Sequence, residues 1–76
     1  MESDMFITVP KEGTDIESVR YFVTRRCKAK RCFTVPNPDD KTRYKFKVVG
    51  IPTKEDRLSI IKMFPKCTED IYEEES

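Results

Sequence analysis

The sequence contains no histidine and no tryptophan, and it has only two glycines and three cysteines in 76 residues. Histidine is the usual general base near neutral pH and the commonest metal ligand in proteins. Its absence therefore argues against triad-type hydrolysis and most zinc-dependent chemistry. An odd number of cysteines also fits poorly with the paired disulfides of small secreted domains. We expect reduced thiols, no enzymatic activity, no cofactor and no small-molecule substrate.

Long apolar runs are also missing, since no segment approaches the roughly 18 residues that a membrane-spanning helix needs. The N-terminus carries Glu2 and Asp4 where a secretory signal has a basic start and an apolar stretch. We therefore expect an intracellular protein, cytoplasmic or nuclear, that does not bind a membrane. A chain of this length forms one small domain, which we place at residues 1–67, followed by an acidic mobile tail at 68–76.

Charge is distributed unevenly along the chain, although the formal net charge is only +1. Residues 1–19 carry a net charge of −4, residues 20–47 carry +8, and residues 48–76 carry −3. Between Arg20 and Val35 there is no acidic residue at all. This asymmetry is informative about partners, because a concentrated positive segment attracts polyanions or acidic protein surfaces.

The first half of the chain predicts a strand followed by a helix. Residues 5–9 are apolar and β-branched and end at Pro10, as a short strand does. Thr14 and Glu17 have the spacing of a capping box, which predicts a helix over about 15–28. One face of that helix collects the apolar side chains of Ile16, Val19, Phe22, Val23 and Cys27.

The second half predicts a hairpin and a second helix. Residues 32–35 alternate as a short strand does, and the turn formers at 36–40 follow. Residues 43–48 alternate strictly, with Tyr44, Phe46 and Val48 on one face and Arg43, Lys45 and Lys47 on the other. Thr53 is a second helix cap, and it predicts a helix over about 54–64 with an apolar stripe of Leu58, Ile61 and Phe64.

The resulting order is β-α-β-β-α, which predicts an α+β two-layer sandwich with both helices on one face of a three-stranded sheet. A right-handed crossover through the first helix makes the first two strands parallel, with the third between them and antiparallel to both. Its cationic side chains then lie on the uncovered face of the sheet. We expect the flanking strands to contribute Phe6, Thr8, Cys32 and Thr34 to that face.

Nucleic acid binding is the first hypothesis for the positive segment. Cations that cluster on one surface bind phosphates with a steep dependence on salt, and an exposed aromatic ring beside them adds a platform for stacking bases. Two groups of cations could meet, one at the end of the first helix and one on the open face. The candidate binding residues are Arg25, Arg26, Lys28, Lys30, Arg31, Arg43, Lys45, Lys47 and Phe6.

The positive segment also has two alternative roles that the sequence leaves open. Cations near the C-terminus of a helix are stabilised by its dipole, and lysines on an open strand keep a sheet soluble, so the segment could serve stability and solubility alone. Alternatively, the protein is a small interaction module, a regulator or inhibitor, that docks its basic face on an acidic surface of a larger protein. The acidic tail could also compete for the basic residues within the same molecule.

The cysteines and carboxylates give weaker signals. Cys27, Cys32 and Cys67 have neither the spacing nor the histidine partner of a structural zinc site, so we expect no metal. Neighbouring cations could lower the pKa of the Cys32 thiol and make it reactive. Asp39 and Asp40 fit a turn better than a catalytic pair. No motif in the chain is specific enough to name a family.

Overall fold

The computed structural model describes residues 2–64 of the chain. Three strands form one sheet in the order β1-β3-β2, and β3 runs antiparallel to both neighbours, so the predicted α+β class and the central position of the third strand are confirmed. The predicted tail at 68–76 lies outside the described residues. The elements are β1 (Ser3–Pro10), α1 (Ile16–Tyr21), a π-helical segment (Phe22–Arg26), β2 (Arg31–Val35), β3 (Arg43–Ile51) and α2 (Lys54–Met63).

The core lies between the sheet and the helices. Alternation along β3 places Phe46 and Val48 in it with no exposed surface, and their neighbours on β1 are equally buried. Val19, Val23 and Ile60 enter the same core from the helical layer. Burying one face of each strand in this way leaves the opposite face of the sheet without a helix over it among residues 2–64. No helix within residues 2–64 is long and apolar enough to cross a membrane.

The prediction for β2 is wrong in its choice of face. Cys32 is 4% exposed and pairs with Val48, and Thr34 pairs with Phe46, so both lie on the helix-covered side of the sheet. Phe33 and Val35 consequently lie on the open face. The physical cause is that Cys32 behaves as a small apolar residue and packs in the core, and side chains in a strand alternate with a period of two.

The first helix consists of α1 and the π-helical segment that continues it, and it begins one residue later than predicted. Asp15 is the N-cap residue, and its carboxylate accepts a hydrogen bond from the Ser18 hydroxyl at 2.9 Å. The carboxylate of Glu17 binds the guanidinium of Arg20 at 3.1 Å. The predicted capping box from Thr14 is therefore wrong, because the N-cap position falls on Asp15, whose side chain makes no capping hydrogen bond to a backbone N–H. Helical structure ends at Arg26, and Lys28 has a positive φ of 63° that stops it.

The second helix has the predicted cap but a different buried face. The Thr53 hydroxyl accepts a hydrogen bond from the Asp56 backbone N–H at 3.0 Å. Leu58 was expected in the buried stripe but is 52% exposed, whereas Ile60 is completely buried. Phe64 does reach the first helix, since its ring meets that of Phe22 edge-on with the centroids 5.9 Å apart. Two adjacent isoleucines left the phase of this short helix ambiguous in the sequence.

The loop between β2 and β3 is held by side chains of the turn formers. Asn37 donates hydrogen bonds from its amide to the backbone carbonyls of Asp40 at 3.0 Å and Arg43 at 3.1 Å. Hydrogen bonds from the hydroxyl and the backbone N–H of Thr42 lower the pKa of the Asp40 carboxyl. Asp40 therefore shapes the turn, and the loop fixes where β3 begins and how its cations are aligned with the neighbouring strands.

Candidate nucleic-acid interface

The face of the sheet that no described helix covers carries all four cations of the strands and two of their four aromatic rings. Phe6 on β1 and Phe33 on β2 both pair with Lys47 on β3, so the three residues form one rung across the sheet. We call this the aromatic rung, and the uncovered surface around it the open face. The other strand residues of the open face include Asp4, Thr8, Arg31, Val35, Arg43, Lys45 and Val49.

Phe6 lies between two lysines of the central strand. The ammonium of Lys45 is 4.6 Å from the centroid of the Phe6 ring, and that of Lys47 is 5.9 Å away. Both distances are within the range of a cation–π interaction, which holds long side chains against a ring. All three side chains are partly exposed. An aromatic ring and two positive charges thus lie side by side on this surface.

Arg43 is fixed on the open face by β1. Its Nε donates to the hydroxyl of Thr8 at 3.1 Å and its Nη2 donates to the backbone carbonyl of Thr8 at 3.0 Å. These bonds go to neutral acceptors and orient the guanidinium, which also interacts with the charge of the Asp40 carboxylate. The N–H groups at Nη1 are not used by the two bonds to Thr8, and oriented guanidinium donors of this kind bind phosphates.

The second edge of the open face repeats the combination of a cation and a ring. Arg31 is exposed, and its guanidinium carbon is 5.5 Å from the centroid of Phe33. Because the backbone of Phe33 is paired to that of Lys47, the cations of β2 and β3 lie on adjacent strands of one surface. The open face thus joins Arg31, the last cation of residues 25–31, to the cations of β3.

A groove of about 760 Å³ runs beside the outer edge of β2, between that strand and the first helix. Tyr21 is 58% exposed on the helical side, and the guanidinium carbon of Arg25 is 5.2 Å from its ring centroid. On the strand side the groove is lined by Lys30, Arg31 and Phe33. We call it the β2-edge groove. Arg31 and Phe33 therefore belong both to this groove and to the open face.

Ion pairs and hydrogen bonds modify the charge of the β2-edge groove. The Lys30 ammonium lies 3.0 Å from the Glu2 carboxylate. Arg20 pairs with Glu17 at 3.1 Å and also donates from Nε to the backbone carbonyl of Cys32 at 3.1 Å. The last bond satisfies an acceptor at the edge of β2 that faces away from β3.

The predicted site residues separate into three groups. The open face holds Phe6, Arg31, Arg43, Lys45 and Lys47, and the β2-edge groove adds Arg25 and Lys30. Arg26 and Lys28 are exposed, but they are not among the described residues that line the groove, nor are they on a strand.

Two residues of the candidate site were not included by the sequence prediction. Phe33 was missed because the phase of β2 was misread, and strict alternation from Arg31 would have placed it on the open face. Tyr21 is not among the candidate binding residues that the charge pattern indicates. Its signal was that it falls off the buried stripe of the first helix, beside Arg25 at helical spacing.

Both described thiols are buried, and their pKa values are raised. Burial raises the pKa of the Cys32 thiol to about 12, although the charge of Arg20 opposes this effect. The prediction of an activated Cys32 is therefore wrong, because desolvation outweighs the nearby cations. Cys27 is also a free, buried thiol, and burial is the largest cause of its raised pKa. Within residues 2–64 no three cysteine or carboxylate side chains are grouped to hold a metal ion, and Cys67 lies outside this range.

No family model, no curated protein and no solved structure matches this chain. The functional interpretation therefore depends on the geometry of the open face and the β2-edge groove.

Proposed function

We propose that the protein is a small, non-enzymatic nucleic-acid-binding protein and that the open face is its binding surface. The observation that carries the proposal is the aromatic rung, in which Phe6, Lys47 and Phe33 occupy one line across three strands. Lys45, Arg43 and Arg31 surround that line.

The combination suits a polyanion that also presents flat bases. Each phosphate that a cation neutralises releases counterions, which supplies favourable free energy at low salt. Aromatic rings stack on bases regardless of sequence, because every base has a π-face. The two kinds of group alternate across the sheet, so one ligand can contact both.

Solubility alone accounts for this surface less well. A solvated surface usually mixes charges of both signs. Asp4 is the only acidic residue among the described strand positions of the open face, and its carboxylate accepts a hydrogen bond from the Gly50 backbone N–H at 3.0 Å. Cations next to partly exposed rings make a binding surface, whereas a purely solubilising face needs no rings.

The proposal includes an intracellular location. Its support is the pair of free, buried thiols at Cys27 and Cys32, which fit a reducing compartment.

Fluorescence anisotropy with labelled oligonucleotides tests the proposal. We expect binding at low salt that weakens as salt is added, and we expect the double variant K45E–K47E to weaken it strongly, because two attractive charges become repulsive. The matched control is K54E–K62E, which makes the same charge change on exposed lysines of α2. No binding of any oligonucleotide at low salt would contradict the proposal, as would equal losses in the two variants.

A protein partner with an acidic surface is the alternative, and charge complementarity is its support. A pull-down from lysate after nuclease treatment separates the two functions. If K45E–K47E loses a defined protein partner while oligonucleotides never bind, the interaction module is the correct function. If only nucleic acid is recovered before nuclease treatment and no protein after it, the alternative is wrong.

A further inference from the structure

We propose that the nucleic acid is single-stranded and that it crosses β2 from the open face into the β2-edge groove, where Tyr21 stacks on a base and Arg25 binds a phosphate. This inference rests on the proposed function, since it specifies the kind of nucleic acid and its path. It adds a second binding surface, formed largely by the first helix, to the one on the sheet.

The two surfaces are continuous. Arg31 and Phe33 lie on the open face by strand register and also line the β2-edge groove. A ligand that stacks on Phe33 therefore reaches the edge of the sheet and the entrance of the groove at the same point. Beyond that edge Tyr21 presents the next aromatic ring, which is 58% exposed.

The same pairing of ring and cation recurs at three positions along this path. Phe6 has two lysine ammonium groups at 4.6 and 5.9 Å, Phe33 has Arg31 at 5.5 Å, and Tyr21 has Arg25 at 5.2 Å. A nucleotide consists of one base and one phosphate, so each pair matches one nucleotide. The repetition predicts a ligand of at least three contacted nucleotides running across the strands.

Strand spacing favours a single strand over a duplex. Neighbouring strands are about 4.8 Å apart, so the positions of Phe6 and Phe33, two strands apart, are separated by roughly 10 Å. Bases of a duplex are stacked on each other and paired, and their faces cannot reach separate rings. An extended single strand can splay its bases onto successive platforms.

The electrostatics of the groove fix which end of it holds the phosphate. Asp15 and Glu17 line the groove on the first turn of the helix, and Glu17 is paired with Arg20. Arg25 and Arg31 lie toward the other end of the groove, where helical structure ends and β2 begins. Phosphates are therefore attracted to the Arg25 end and repelled from the Asp15 end.

An extended peptide fits the groove less well than a nucleic acid. A peptide that added a strand to β2 would need the outward backbone carbonyl of Cys32 as an acceptor. That carbonyl already accepts a hydrogen bond from Arg20 at 3.1 Å. The edge is thus closed to strand addition at this point, whereas the cations and rings beside it are open to stacking and to phosphate contacts.

The test is a series of labelled oligothymidylates that lengthens one nucleotide at a time, together with a hairpin duplex as competitor. Tyr21→Ala removes the proposed stacking ring, and Tyr21→Phe keeps it. The matched control is Leu58→Ala, since Leu58 is 52% exposed on α2. Circular dichroism of each variant verifies that the fold is unchanged.

We expect wild-type affinity to increase with length until the strand fills both surfaces. Y21A should equal wild type on the shortest oligonucleotides and bind the longer ones at least about fivefold more weakly, from the lower end of measured stacking contributions. Y21F and L58A should follow wild type throughout, and the duplex should compete poorly.

Two results would overturn the inference alone. One is a Y21A variant that equals wild type at every length while K45E–K47E still binds weakly, and the other is a duplex that binds as tightly as a single strand. If no oligonucleotide binds wild type, the proposed function fails together with the inference.

Discussion

The salt dependence of binding can be worked out from the cations that the structure brings together. Five lie along the proposed path, namely Arg25, Arg31, Arg43, Lys45 and Lys47. For single strands, the logarithm of the binding constant falls with the logarithm of the salt concentration with a slope of about −0.7 for each phosphate neutralised. If each of these cations engages one phosphate, the slope is about −3.5, and a fourfold increase in salt weakens binding by roughly 130-fold.

Neutralising two of these cations should change the slope by a defined amount. In the variant K45Q–K47Q three contacts remain, so we expect a slope of about −2.1 and a loss of only roughly 18-fold over the same change in salt. The control K54Q–K62Q removes the same charge from α2 and should keep the wild-type slope.

The assay is fluorescence anisotropy of a labelled oligothymidylate over a range of sodium chloride concentrations, with the variants matched for folding by circular dichroism. A slope that is the same in wild type and K45Q–K47Q refutes the assignment of phosphates to the open face, whatever the absolute affinity. If K54Q–K62Q flattens the slope as much as K45Q–K47Q does, the assignment is also refuted, because the change in net charge would then explain the change in slope.

Three further predictions concern the acidic residues 69–75, the Cys32 thiol and the close approach of Lys30 to Gly50. Replacing the five acids between residues 69 and 75 by their amides should strengthen oligonucleotide binding at low salt, because their negative charges repel phosphates or compete for the same cations. An unchanged affinity in the anisotropy assay would contradict this prediction. Burial raises the pKa of Cys32 from 9.0 to about 12, so the unfolded chain loses the thiol proton at a lower pH than the folded protein does. The free energy of unfolding should therefore decline as the pH rises above 9.0. Urea denaturation on either side of that pH should show a smaller decline in Cys32→Val, and an equal decline in both proteins would disprove the assignment. Gly50 has φ +75°, and a Cβ there would lie 2.9 Å from the Lys30 side chain. Gly50→Ala should therefore lower the free energy of unfolding by more than the roughly 1–2 kcal/mol that a non-glycine residue costs in the left-handed region. The control Gly13→Ala, at φ +80° with open space around it, should show the backbone cost alone, and equal losses in urea denaturation would exclude the contact with Lys30.

The sheet was largely predictable because its signal is local. Arg43 to Val48 alternates without interruption, and the buried face that this pattern predicts is the one that packs under the helices. The order of elements then restricts the sheet to very few topologies, of which the central placement of β3 is the natural one. The same pattern placed Lys45 and Lys47 on the open face.

Short elements with uniform composition were less predictable. In β2, Cys32 and Phe33 are both apolar, and a shift of one residue moves each side chain to the other face. In α2, Ile60 and Ile61 are adjacent, so a helix of 10 residues offers too little periodicity to decide which one is buried. In both elements, packing against the rest of the core decides which side chain is buried.

The β2-edge groove was not predictable from the sequence, because it exists only where two elements approach each other. Tyr21 and Phe33 are separated by 12 positions in the chain, yet both line it. The position of the first helix relative to β2 decides whether they meet. Arg26 is the opposite case, in which the sequence suggested a residue that the structure does not place in the site. It was a candidate because it lies in the cationic segment, but it is not among the described residues of the groove or of the strands.

The most direct test of the central claim is to map an oligothymidylate onto the protein by the chemical shifts of backbone amides in a ¹⁵N-labelled sample. Our account predicts the largest changes at Phe6, Phe33, Lys45 and Lys47, with small changes along α2. Changes concentrated on α2, or an unchanged spectrum at low salt with excess oligonucleotide, would contradict the assignment of the open face as the binding surface.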